Sequence, residues 1–340
     1  MKYNLLGNTG LKVSELCLGT MTFGTAGGRF AAINGVDQAG ADALTKRSLD
    51  AGINFIDTAN VYSEGISEEM TGQAIRNLGV SRDDLVIATK VRGKMGDGPN
   101  QTGLTRKHIM AQAEASLKRL GTDYIDLYQI HSYDPLTPLD ETLRALDDLV
   151  RSGKVRYLGA SNVTAWQLMK ALDISHYQHL ERFVSLQAYY TVAGRDLERE
   201  IVPLLLDQKV GLMVWSPLAG GFLSGKYTRE EEKGEGRRST FDFPPVNKDL
   251  AFNVLDKLQP LAEAKGHTVA SLALAWLLHQ PVVSSVIIGA KKMEQLDDNL
   301  KAVDVQFSPE ELQQLEEVSK LVPEYPGWMV EFTSGDRKVE

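Results

Sequence analysis

The sequence predicts a single α/β domain of the (β/α)8 barrel class: eight short parallel strands, each followed by a helix. A short hairpin precedes the first strand, and a further helix and a tail follow the last. Three observations carry this prediction. Apolar runs without alternation recur between amphipathic stretches, as expected of strands covered on both faces. Nearly every run ends on a hydrogen-bonding residue (Thr20, Asp57, Lys90, His131, Ser161, Gln187 and Ser216, with Gly289 closing the last). The C-terminal ends of barrel strands are where such groups converge. No Gly-x-Gly-x-x-Gly follows the first strand, which argues against an open, doubly wound sheet. At 340 residues the chain could also be two ordinary domains. No linker divides it, so one domain is expected over 1–340, with its core at about 16–321.

In order, Lys2–Val13 reads as two short strands around a Gly/Asn turn. Glu15–Thr20 is the first core strand, and Gly24–Gly40, rich in Gly and Ala, is a long loop. Helix Ala41–Asp50 stops at Gly52 and leads into strand Phe55–Asp57. Ser67 is a candidate N-cap, with Glu68 and Glu69 suited to the positive end of a helix that runs to about Leu78. Strand Leu85–Lys90, a Gly-rich loop and helix Thr105–Leu120 follow, then strand Tyr124–His131 and helix Pro138–Arg151. Strand Val155–Ser161, helix Thr164–Leu172, strand Val184–Gln187, helix Leu197–Gln208 and strand Leu212–Ser216 continue the alternation. Pro217–Pro245 is a large surface loop holding the charge run Arg229–Lys233. Helices Lys248–Lys265 and Thr268–His279 lead to strand Ser285–Ile288, helix Lys292–Ala302 and helix Pro309–Leu321. The tail around Trp328 reads as irregular.

Composition narrows the function. A net charge of −8 argues against nucleic acid or an anionic membrane as partner. Cys17 is the sole cysteine, so no intrachain disulfide or thiolate metal site is available, and a reducing, cytoplasmic setting is expected. The longest near-continuous apolar run, Val269–Leu278, falls far short of the ~20 residues that span a bilayer. His176 and His179 have a ligand-like spacing but no accompanying acid or thiol, and read as surface residues.

Taken singly, Asp57, Lys90 and His131 are ordinary turn or surface residues. Their occurrence at the ends of three neighbouring strands, with Tyr62 on the loop after Asp57, is what signals chemistry. A phenol has a reference pKa near ~10, and a nearby ammonium would stabilise the phenolate and lower it. A carboxylate would hold that ammonium, and an imidazole would orient the atom being protonated. Such a set makes Tyr62 a general acid toward a carbonyl oxygen. Carbonyl reduction also needs hydride, which no side chain supplies, so a nicotinamide is implied.

Several stretches together resemble the aldo-keto reductase superfamily: Leu18–Gly24, Gly52–Tyr62, Gly159–Asn162, Gln187, Trp215–Leu218, and Ile288–Lys291 followed by Asp298-Asn299. The resemblance runs from about Leu16 to Leu321. It implies a barrel that binds NADP(H) in extended form and reduces an aldehyde or ketone. By that pattern Asp57, Tyr62, Lys90 and His131 match the catalytic tetrad. Ser161, Asn162 and Gln187 match the residues that hold the nicotinamide carboxamide, and Trp215 the ring stacked on it. Gly19, Thr20, Met21 and Asp57 border the same cofactor site. Ser216, Leu218, Gly221 and Lys226 match the loop over the pyrophosphate, and Gly289, Lys291, Gln295, Asp298 and Asn299 the adenosine end. Lys291 stands where many relatives carry arginine. The segment Gly220–Lys226 also fits the first part of a phosphate-binding loop, but Tyr227 replaces the required Ser or Thr. Two other functions fit the same residues: a cofactor-sensing subunit, as in the family's potassium-channel β subunits, and a lyase using Lys90 as a Schiff base.

Overall fold

The computed structural model describes residues 1–24, 31–229, 238 and 241–337. An antiparallel hairpin, β1 (Tyr3–Leu5) and β2 (Lys12–Ser14), precedes the barrel. The barrel strands are β3 (Leu16–Gly19), β4 (Phe55–Asp57), β5 (Val86–Val91), β6 (Ile125–Ile130), β7 (Val155–Ser161), β8 (Phe183–Tyr189), β9 (Gly211–Trp215) and β10 (Val283–Ile288). They pair in parallel in chain order, and β10 closes the ring against β3, which defines a (β/α)8 TIM barrel.

The surrounding helices are α1 (Gln38–Asp50), α2 (Ile66–Leu78), α3 (Arg106–Leu120), α4 (Leu139–Arg151), α5 (Ala165–Gln178), α6 (Ile201–Gln208), α7 (Lys248–Lys265), α8 (Val269–Leu278) and α9 (Met293–Leu300). After them come α10 (Pro309–Ser319) and α11 (Gly327–Thr333). Helix α4 shows why they form. Its Leu143, Ala145, Leu146 and Leu149 are fully buried at helical spacing, while Asp140 and Glu141 sit in its first turn and Arg151 in its last.

Two cores result. The larger lies between strands and helices, fed by outward residues such as Ile87, Tyr128 and Leu158. The smaller lies inside the barrel, where Cys17, Phe55, Val86, Ala88, Leu127 and Met213 meet Leu6 and Val13 of the hairpin. The hairpin therefore plugs the end where the strands begin. Gly7 makes the plug fit: a Cβ there would stand 2.3 Å from the Val184 carbonyl oxygen, and its φ is +60°.

The structure corrects several expected boundaries. Helix α1 begins at Gln38, not Ala41, because Asp37 caps it by accepting from the Gly40 N–H at 2.9 Å. Ser67 is not an N-cap. Gly65 takes that place in the left-handed region, and the Ser67 hydroxyl donates instead to the Thr20 carbonyl at 2.7 Å. Helix α5 runs on to Gln178, since Ser175 is buried and no breaker precedes the left-handed cap at His179. The tail around Trp328 is helical as α11, with Trp328 exposed. His176 and His179 are exposed. Within the two long loops, positions 25–30, 230–237 and 239–240, including most of the charge run, lie outside the described residues.

Candidate active site

Alternation along each strand decides which side chains face the interior. Along β5, Val86, Ala88 and Lys90 point inward while Ile87 and Val91 face the helices; along β6, Leu127 is followed by Gln129 on the same face. The interior therefore turns from apolar to polar as it approaches the C-terminal rim.

Lys90 is fully buried and stands at the centre of the polar layer. Its Nζ forms an ion pair with Asp57 Oδ1, donates to the Thr58 carbonyl at 2.9 Å and lies 3.3 Å from the Tyr62 hydroxyl. The second carboxylate oxygen of Asp57 accepts from Gln129 Nε2 at 2.9 Å and Gln187 Nε2 at 3.0 Å. Gln187 also donates to Gln129 Oε1 at 3.2 Å. Gly159 leaves room for this arrangement, since a Cβ there would lie 2.9 Å from Gln129 Cγ. The His131 ring stands edge-on to Tyr62, with centroids 5.7 Å apart.

Charge states follow from this packing. For Lys90, burial alone would favour the neutral amine, but Asp57 and then Tyr62 outweigh it and its pKa is raised. For Tyr62, burial raises the phenol pKa, and the lowering effect of Lys90 does not overcome it. This corrects the expectation of a lowered phenol: the hydroxyl keeps its proton well past neutrality. Burial, reinforced by the Lys90 and Arg92 charges, depresses His131 to about 3, so its imidazole is neutral.

A second group of predicted residues gathers beside this layer. Asn162, with φ +50°, donates from Nδ2 to the His131 carbonyl at 2.9 Å and to Ser161 Oγ at 3.0 Å. Its Oδ1 accepts from Trp215 Nε1 at 3.1 Å. Ser161, Asn162 and Trp215 thus meet, whereas Gln187 joins the Asp57 carboxylate instead. Trp215 stacks on Phe243 with ring planes 10° apart. The segment carrying Phe243 is held by Arg238, which donates to the Ala219 and Pro244 carbonyls at 2.9 Å each and pairs with Asp242.

The other predicted cofactor residues spread around the rim. Thr20, buried after β3, bonds Ser67, while Met21 packs on Ala59, Val61 and Tyr62. Gly19 is packed against Ile287 Cγ2, 2.6 Å from where a Cβ would stand. Ser216 has φ +49°, and its hydroxyl accepts from the Gly220 N–H at 3.0 Å. The Gly221 N–H is taken by the Leu218 carbonyl at 2.9 Å, and Lys226 is exposed. Gly289 opens to the surface, Lys291 is exposed, and its backbone N–H donates to Gln295 Oε1 at 2.9 Å. Asn299 is buried, and Asp298 is occupied as the acceptor of the Thr268 hydroxyl at 2.7 Å.

Three neighbours were not anticipated. Gln129 and Arg92 lie two residues from His131 and Lys90, so counting by twos along β5 and β6 would have found both. Phe243 had no comparable signal, because a long loop delivers it. Two surface clefts, one lined by Met1, Arg47 and Asp304 and the other by Asp173, His179 and Arg182, lie at the opposite end of the barrel and hold no such convergence. Among the described residues no helix is long and apolar enough to cross a membrane, and no cluster of His, Cys, Asp and Glu could hold a metal ion.

A closed parallel barrel carries a buried lysine–carboxylate–phenol set at the C-terminal rim of its strands. The pattern of the Aldo/keto reductase family matches residues 15–320, and the chain belongs to that family. It is 40% identical to a probable voltage-gated potassium channel subunit beta of Arabidopsis thaliana, over 96% of this chain and 99% of the relative. It is 39% identical to an uncharacterised oxidoreductase of Bacillus subtilis, covering 94% of this chain and 96% of that one. A versiconal hemiacetal acetate reductase of Aspergillus parasiticus is 36% identical over 93% of this chain and 96% of its own length. Family and relatives together support an oxidoreductase, with carbonyl reduction as the general reaction.

Proposed function

We propose that the protein reduces an aldehyde or ketone to the alcohol with NADPH in the cytoplasm, with Tyr62 as general acid. The observation that carries this reading is the buried Lys90 ammonium, held between the Asp57 carboxylate and the Tyr62 hydroxyl beside a neutral His131. Asp57 fixes Lys90 in position and keeps it charged. Lys90 in turn stabilises the phenolate that forms as Tyr62 gives its proton to the carbonyl oxygen. A neutral imidazole can donate one N–H to that oxygen without bringing a second cation beside Lys90.

The donor set at the rim fits a nicotinamide cofactor. Ser161 and Asn162 place a hydroxyl and an amide suited to a carboxamide there, in exchange for their bonds to each other and to Trp215, and Trp215 offers the ring face that is not stacked on Phe243. When bound, the cofactor supplies hydride to the carbonyl carbon. Ser216, Leu218 and the exposed Lys226 would hold the pyrophosphate, while Gly289, Gln295 and Asn299 would face the adenosine; the Gly221 N–H is committed to the Leu218 carbonyl. The exposed Lys291 favours a 2′-phosphate through a point charge rather than a bidentate grip. A roughly tenfold preference for NADPH over NADH is expected.

Spectrophotometric NADPH oxidation over a panel of aldehydes, cyclic ketones and quinones tests the proposal. Turnover of none of them would favour a second reading, suggested by relatives named as potassium channel β subunits, in which the cofactor is sensed rather than consumed.

A further inference from the structure

Arg92 follows the last residue of β5, two positions beyond Lys90, and the catalytic scheme leaves it without a task. It is half-buried, and its Nε is shielded from water with no hydrogen-bond partner. Among the described residues no carboxylate pairs with it. Holding a guanidinium N–H out of water without an acceptor is unfavourable. The nearby carboxylate that feels its charge, Asp134, is already committed: its oxygens accept from the Leu104 N–H at 2.8 Å, the Leu136 N–H at 3.1 Å and the Thr137 hydroxyl at 2.7 Å.

Backbone geometry adds an independent sign. Arg92 has φ +142°, a region that side chains rarely adopt, and its carbonyl is pinned there by the Gly103 N–H at 2.9 Å and the Thr102 hydroxyl at 3.2 Å. Such strain persists where the surroundings enforce it, and ligand clamps are a common reason. The location is equally informative. The Val91 carbonyl accepts from the His131 N–H at 2.9 Å, so Arg92 begins where His131 meets the rim. In the barrel ring β5 stands opposite β9 and three strands from β10. Those two strands carry the residues assigned above to the cofactor phosphates.

We propose that Arg92 anchors an anionic group of the substrate, so that this site takes carbonyl compounds bearing a carboxylate. The inference rests on the reductase reading for the position of the carbonyl, between Tyr62 and His131. The carboxylate would give Arg92 the direct ion pair that Asp134 does not form and would take charge-assisted hydrogen bonds from its terminal nitrogens.

The test compares NADPH-driven reduction of 2-, 3- and 4-carboxybenzaldehyde with that of their methyl esters, a series that varies the distance between carbonyl and anion. For at least one isomer kcat/KM of the acid should exceed that of its ester by roughly tenfold or more, mainly through KM. In Arg92→Gln that ratio should collapse toward one, and Arg92→Lys should restore part of it as a point charge. Thermal unfolding of Arg92→Gln should occur no lower than in the wild type, because the half-buried cation removed has no ion-pair partner among the described residues. Calorimetric titration with the matching benzenedicarboxylates reads the anion site without turnover, and Arg92→Gln should weaken it roughly tenfold. Dicarboxylate binding that weakens in Arg92→Gln, in a protein that reduces neither acid nor ester, would keep the anion site and overturn the reductase reading. Acid-to-ester ratios near one for all three isomers, or dicarboxylate affinities equal in wild type and Arg92→Gln, would overturn the role of Arg92.

Discussion

Below the rim, Phe55, Val86, Leu127 and Met213 fill the barrel with hydrocarbon. Two or four residues further along three of the same strands, Asp57, Lys90 and Gln129 fill it with charge and amide. Both layers are dry, yet they obey different rules. Each apolar side chain contributes about 1.5–3 kcal/mol by leaving water, independently of which neighbour it touches. In the polar layer every group depends on the next: Lys90 has Asp57, and Asp57 has Gln129 and Gln187. Such a pair adds little net stability when complete and costs about 3–5 kcal/mol when one member is removed. The lower layer therefore holds the barrel together, and the upper one holds a geometry.

The sharpest way to separate the layers is Tyr62→Phe. The ring stays and one hydroxyl goes, so folding and NADPH binding should persist while kcat falls ~10²–10⁴-fold. Single-turnover hydride transfer at saturating NADPH measures it; a rate like the wild type's would mean that the proton comes from His131 or from water. Next comes Asp57→Asn, which takes the counter-charge from the buried Lys90 and turns amide hydrogens toward other donors. A loss of about 3–5 kcal/mol in urea unfolding is expected, and an unshifted midpoint would show that water relieves the layer. In the lower layer, Leu127→Ala should cost about 2–5 kcal/mol through the cavity it leaves. Its kcat/KM per folded molecule should match the wild type, and a parallel loss of activity would erase the distinction drawn here.

The last prediction concerns pH. His131 titrates at about 3 in the folded protein against 6.5 for the free side chain, so the unfolded chain takes up that proton first. Stability from the neutral ring is complete above pH 6.5 and is lost as pH falls toward 3. His131→Asn should flatten the acid limb of the stability curve by up to about one proton. The carbonyl-reduction profile of the wild type should show no His131 ionisation near 6.5, and one found there would place that ring in water.

What the sequence determined was the repeat and the signal at its ends. Short apolar runs ending on Asp57, Lys90, His131 and Ser161 are local facts, because burial on both faces and a polar residue at the strand end leave their mark within a few residues. The start of α3 was legible to within a residue for the same reason: Thr105, where the expected helix begins, is its N-cap. The tertiary structure alone decided which polar groups became partners. Gln187 reaches across 130 residues to Asp57, Ser67 leaves its cap role for the Thr20 carbonyl, and Phe243 arrives on Trp215 from a long loop. It also reversed the expected shift of Tyr62, since desolvation depends on everything that packs around the hydroxyl, and no single neighbour in the sequence carries that information.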